Sequence, residues 1–152
     1  MQLSKNLTLA EATKSQVATR LGIKNVPNQV QTRNLQLIAQ HVFQPVRDHF
    51  DVAIAVTSGF RSLALNKAIG GSKTSEHMEG RALDLDGDVF GGVTNKEIFD
   101  FIKNNLDFNQ LIWEFGDKDN PDWVHVSYKE GSNKRQVLRA KMHKGRAVYS
   151  PF

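Results

Sequence analysis

In the stretch Ser75-Glu76-His77-Met78-Glu79-Gly80-Arg81-Ala82-Leu83-Asp84-Leu85-Asp86, a polar run bends at Gly80 into alternating leucines and small or acidic residues. Period two marks a strand over 81–86, with Leu83 and Leu85 on one face and Ala82, Asp84 and Asp86 on the other. Downstream, Thr94 and Glu97 carry the spacing of a capping box ahead of Ile98, Phe101 and Ile102, which predicts a helix over 95–104. Strands over 110–115 and 122–128 then flank Gly116-Asp117-Lys118-Asp119-Asn120-Pro121, a run of turn formers that predicts an antiparallel hairpin. Upstream, Val52 to Thr57 reads as a buried strand stopped by Ser58-Gly59, and Ser62 can cap a short helix ending at Ile69. Leu35, Ile38 and Val42 give a core face to a helix over 28–43 that Pro45 bends or ends. An earlier helical segment starts at the Thr8/Glu11 capping box and fades at Leu21-Gly22. Helices with meander strands predict an α+β fold, an antiparallel sheet with helices packed on it, in a single domain over 1–152 with a basic segment over 129–152.

Composition narrows the function classes. The 152 residues carry 20 Lys plus Arg against 16 Asp plus Glu, and 39% are hydrophobic, within the range of a globular chain that buries a core. The longest apolar stretch, Val52–Val56, falls far short of the roughly 20 residues of a spanning helix. Met1 to Thr8 has no apolar core or small-residue cleavage site, so no export signal is expected. Lys129, Lys134, Arg135, Arg139, Lys141, Lys144 and Arg146 face only Glu130 in the last segment. Such a segment is either a solvated edge strand or an element drawn to anionic polymers. The scarcity of aromatic residues among these charges argues against a single-stranded nucleic-acid platform, and no specific nucleic-acid partner is expected. With no apolar exposed stripe in view, a monomer is the default.

Cysteine is absent, so any metal must be held by His, Asp or Glu. His77 lies in a loop seven positions before Asp84, with Gly80 and Ala82 leaving room for a cation. In Trp123-Val124-His125-Val126-Ser127 alternation puts the valines on one face and His125 on the other. His77, Asp84 and His125 would form a two-histidine, one-carboxylate zinc site with a coordination position left open for water. The competing reading of the same spacing is an Asp bonded to local backbone and two solvent-facing histidines.

Ser58-Gly59-Phe60-Arg61-Ser62, Asn66 with Gly70-Gly71, Ser75-x-His77-x-x-Gly80-x-Ala82-x-Asp84, and Trp123-Val124-His125-Val126-Ser127 together resemble the zinc D-Ala-D-Ala carboxypeptidase family. That family includes phage murein endopeptidases and shares its fold with the Hedgehog signalling domain. The resemblance covers about Thr57 to Tyr128, and it implies Zn2+ on His77, Asp84 and His125 and cleavage of amides in peptidoglycan stem peptides.

A hydrolase of this kind needs a general base. Some family members place an acid three residues before the last histidine, here Asp122, whereas others carry a glutamate on the preceding strand, here Glu114. Alternation favours Glu114, because Leu111, Trp113 and Phe115 should share the core face with Val124 and Val126, leaving Glu114 on the face of His125. Irregular backbone after Pro121 could still turn Asp122 inward. The resemblance makes Arg61 the substrate-binding arginine, a bidentate clamp for a carboxylate. Ser75 is expected to bond substrate or to fix the His77 loop, and Asp86 to hold a ligand histidine in place. His41, His49 and His143 are read as non-catalytic.

The expected function is therefore a zinc-dependent peptidoglycan peptidase, a D,D-carboxypeptidase, a D,D-endopeptidase or an L-Ala-D-Glu endopeptidase. As a phage endolysin it would wait in the cytoplasm of the infected host until released to the wall, and as a lysin it would travel in the virion. The alternative is a non-catalytic, zinc-stabilised module of the same fold.

Overall fold

The computed structural model describes residues 1–152 and shows a six-stranded sheet with helices on one face. A short hairpin, β1 (Gln2–Ser4) and β2 (Leu7–Thr8), opens the chain, an element that the lysine-bearing, polar N-terminus gave no reason to expect. The Thr8/Glu11 capping box forms as predicted but starts only α1 (Leu9–Thr13). Lys14 then takes an extended conformation and Ser15 caps a second helix, α2 (Gln16–Leu21), closed by left-handed Gly22. The single early helix read from the sequence is thus two.

Pro45 does not end the next helix. α3 (Gln29–Ile38) passes through one widened π turn, Ala39–Phe43, and continues as α4 (Gln44–Phe50). Gln44 N–H bonds the carbonyl of Ala39, five residues back, so the chain is already widened where Pro45, lacking an N–H, must fit. Leu35, Ile38, Val42, Phe43 and Val46 bury one continuous face along this composite helix.

β3 (Ala55–Ser58) begins three residues later than the apolar run suggested. It is followed by α5 (Leu63–Ala68), capped by Ser62, and by β4 (Ala82–Asp86), α6 (Asn95–Asn105), β5 (Gln110–Glu114) and β6 (Trp123–Ser127). Thr94 and Glu97 form the expected reciprocal cap on α6. The basic segment extends the sheet with β7 (Gln136–His143) and β8 (Arg146–Pro151), which gives the order β3-β4-β6-β5-β7-β8. Every pair is antiparallel except β5–β7. That exception follows from the connection over 128–135, which leaves the end of β6, skips beneath the start of β5 and rises on its far side. Arg135 ties the connection down, its side chain donating to the carbonyls of Leu106 and Lys103.

The sheet separates core from site. Leu83, Leu85, Leu111, Trp113, Val124 and Val126 face Ile98, Phe99 and Ile102 of α6 and the composite helix. Each such side chain removed from water contributes roughly 1.5–3 kcal/mol, which fixes the register, because a one-residue slip would expose the whole set. The opposite face carries Asp84, His125, Ile112 and Leu138 in one cross-strand row. No helix is long and apolar enough to cross a membrane.

Candidate metal centre

His77 sits on a single 3-10 turn, Glu76–Glu79, held at both ends by local chemistry. The Ser75 hydroxyl accepts the His77 backbone N–H at 3.2 Å, so Ser75 fixes the loop while also bordering the cavity. Gly80 closes the turn at φ +70°, where a Cβ would lie 2.4 Å from the Gln31 carbonyl oxygen of α3. Only glycine allows both the left-handed backbone and that approach.

The imidazole is aimed by its other nitrogen. His77 Nδ1–H donates to the Gly59 carbonyl at 2.7 Å, which turns Nε2 toward Asp84 Oδ1 at 3.2 Å. His125 stands in register with Asp84 across β4 and β6, and its Nδ1 lies 3.0 Å from the same oxygen. One ligand atom from each residue falls within 4.8 Å of the others.

This donor set fits a cation. Burial holds His77 below the ordinary histidine range, against the opposing pull of Asp84, so the ring is neutral near pH 7. With its proton committed to Gly59, the Nε2 lone pair faces a carboxylate oxygen, two acceptors in contact that a shared positive ion would satisfy. Burial works against ionised Asp84, but the two imidazoles that face it outweigh that cost and hold the carboxyl well below its usual range. Two imidazoles and one carboxylate are a zinc donor set with a position left open.

The same cavity, about 590 Å³, is bordered by Glu114, Arg61 and Ser75. Glu114 is 6% exposed, and its carboxyl is pushed up to about 7 by burial, with Asp84 adding to the shift and His125 and Arg61 opposing it. Arg61 donates Nε–H to Ser58 Oγ at 3.0 Å and Nη1–H to Asn66 Oδ1 at 3.3 Å, while Nη2 lies 3.5 Å from Asp84 Oδ2. Asn66, itself buried, donates to the Ser72 carbonyl and so fixes the loop that carries Gly70 and Gly71. At Gly71 a Cβ would lie 2.1 Å from Asn66 Oδ1, which accounts for that glycine.

Asp122 is placed elsewhere. Exposed at the entrance of β6, it borders a second cavity with Lys118, Arg139 and Lys141. Asp86 holds no histidine: its Oδ1 accepts from Asn95 Nδ2 at 3.0 Å and from the Asp88 N–H. The carbonyl of Gly59 does the orienting instead, because backbone reaches the buried ring where Asp86, two residues along β4 from Asp84, does not. Phe115 also departs from expectation. β5 ends at Glu114, and Phe115, at φ +57°, leaves the core face to pack edge-on against Trp123, with ring centroids 5.4 Å apart. His41 stacks on Tyr128, His49 stacks on Phe101, and His143 is exposed at the end of β7, so none joins the site.

Sequence reasoning missed Leu138 and Tyr149, which border the cavity from β7 and β8. The available signal was the alternation within 136–151, masked by the conspicuous charges. No curated protein matches the chain. The family profile described as Peptidase M15 matches residues 5–127, a span that contains His77, Asp84, Glu114 and His125. The chain belongs to the M15 peptidase family.

Proposed function

We propose that this protein is a zinc metallopeptidase that hydrolyses amide bonds in peptidoglycan stem peptides or cross-links, working as a phage endolysin or a virion-associated lysin. One observation carries the reading: a two-histidine, one-carboxylate cation trap, a buried glutamate and a guanidinium border one open cavity. Zn2+ on His77, Asp84 and His125 would supply Lewis acidity toward a water and toward the scissile carbonyl.

The chain's own residues do the rest. Glu114, raised toward neutrality, takes a proton from the attacking water and returns it to the departing amine nitrogen as the C–N bond breaks. A base whose pKa lies near the operating pH serves both steps. Arg61 binds a substrate carboxylate, in keeping with stem peptides that are rich in them. Ser75 keeps His77 aimed. The protein acts as one domain over 1–152, its basic segment being part of the sheet that bears the site.

The test is release of soluble peptides from purified murein sacculi, analysed by mass spectrometry, with EDTA treatment and zinc add-back. Zinc-dependent products are expected, and their masses identify the bond. Folded, zinc-loaded protein that releases nothing from several wall chemotypes would replace this reading with the non-catalytic module.

A further inference from the structure

Past residue 127, where the family match ends, the chain adds a hairpin that reaches the site. Glu114 on β5, Ala140 on β7 and Tyr149 on β8 stand in register, so their side chains share one sheet face. Ala140 is fully buried and stops at Cβ. Across two strand spacings, about 10 Å, the middle strand therefore offers nothing taller than a methyl between the glutamate and the phenol. Tyr149 and Leu138 border the same cavity as Arg61, His77, Asp84 and His125.

The hairpin is held from behind. The Phe152 ring packs against Phe99 at 4.9 Å and Trp113 at 5.7 Å between centroids, and its N–H bonds the Val137 carbonyl. The Arg139 guanidinium lies over both Trp113, at 4.9 Å, and Phe152, at 4.7 Å. These contacts lie on the core face, which leaves Tyr149 presented on the other. The cavity lining is mixed: Arg61, Ser72, Thr74 and Ser75 contribute polar groups beside β3 and β4, while Ile112 on β5 and Leu138 on β7 add apolar surface alongside Gln110 and Glu114.

We infer that the terminal hairpin completes the substrate cleft, with Leu138 packing on an aliphatic segment of the peptide and the Tyr149 hydroxyl donating to one of its carbonyl or carboxylate oxygens, on the side of the reacting centre opposite Arg61. The inference rests on the peptidase reading and adds to it a substrate whose carboxylate lies at Arg61, whose aliphatic segment lies on Leu138 and whose polar oxygen meets Tyr149. Burial, with Glu114 and Asp84 nearby, raises the phenol above its ordinary value, so it stays a protonated donor.

The experiment uses the full chain loaded with zinc. In the Glu114→Gln protein, binding of the murein stem tetrapeptide is followed by tryptophan fluorescence, since Trp123 borders the cavity. Adding Tyr149→Phe, which keeps the ring and removes only the hydroxyl, should weaken binding about three- to tenfold, with zinc affinity and Tm unchanged. In the otherwise wild-type enzyme the same change should appear in KM for sacculi rather than in kcat. Equal binding with and without the hydroxyl, alongside zinc-dependent release by the wild type, would overturn the inference and leave the peptidase reading standing. Absence of both release by the wild type and binding by Glu114→Gln would overturn the two together.

Discussion

The backbone N–H of Asp122 donates to the carbonyl of Glu114 at 2.9 Å, yet the two carboxylates open onto different cavities. Both residues are candidates for the base, and only Glu114 shares its cavity with the cation trap. Glu114→Gln should lower kcat by at least about 100-fold with zinc still bound, the scale expected on losing a general base. Asp122→Asn should stay within about threefold of wild type in the same sacculus assay. A dead Asp122→Asn enzyme that retains zinc would reverse the assignment.

Titration of Glu114 also bears on stability. Its folded-state pKa is raised from 4.5 to about 7, so in the metal-free protein its contribution is fully present below pH 4.5 and is lost as pH rises through 7. Subtracting the unfolding free energy of Glu114→Gln from that of wild type isolates this group from His77 and Asp84. The difference should fall by on the order of 3 kcal/mol between pH 4 and pH 8. A flat difference in urea titrations across that range would mean that the glutamate is not desolvated.

Gly59 should matter to the metal although it supplies no ligand atom. Its carbonyl orients His77, and a Cβ there would lie 2.1 Å from the Ala12 carbonyl oxygen of α1. Gly59→Ala must push backbone apart, and zinc affinity should drop about 10- to 100-fold, the usual scale for losing a group that orients a ligand. Chelator competition measures it. His77→Ala and Asp84→Asn should abolish tight binding altogether.

Asn95 is fully buried, and its amide joins three segments. Its Oδ1 accepts the Gly87 N–H at 2.7 Å, and its Nδ2 reaches Asp86 Oδ1 and the carbonyls of Pro121 and Asp122. Asn95→Ala strands these partners and should cost about 2–4 kcal/mol in urea unfolding. A change under about 1 kcal/mol would show that water replaces the amide.

Much of this was legible in local patterns. Period-two alternation placed Asp84, Glu114 and His125 on one face, and the capping boxes at Thr8 and Thr94 located two helix starts, because both signals depend on neighbours in sequence. The family motifs likewise singled out Arg61 and His77. What escaped depends on contacts between distant segments. Nothing near Gly59 says that its carbonyl meets His77, and Phe115, in its left-handed turn, bonds the carbonyl of Ala140 in a strand that local patterning hid beneath charge. Pro45 misled for the opposite reason: a strong local signal was absorbed by one widened turn.

Asp84 serves two masters: one oxygen faces the histidine nitrogens, and the other faces the Arg61 guanidinium at 3.5 Å. An ion bound at the first oxygen draws down the negative charge that restrains the arginine, and a carboxylate ligand that engages the arginine returns the whole of Asp84 to the ion. The two equilibria would therefore be linked, and linkage is reciprocal: the factor by which zinc strengthens binding of an anionic peptide would be the factor by which that peptide strengthens binding of zinc against a chelator. Scarcity of metal and scarcity of substrate would then be felt by this protein as one condition.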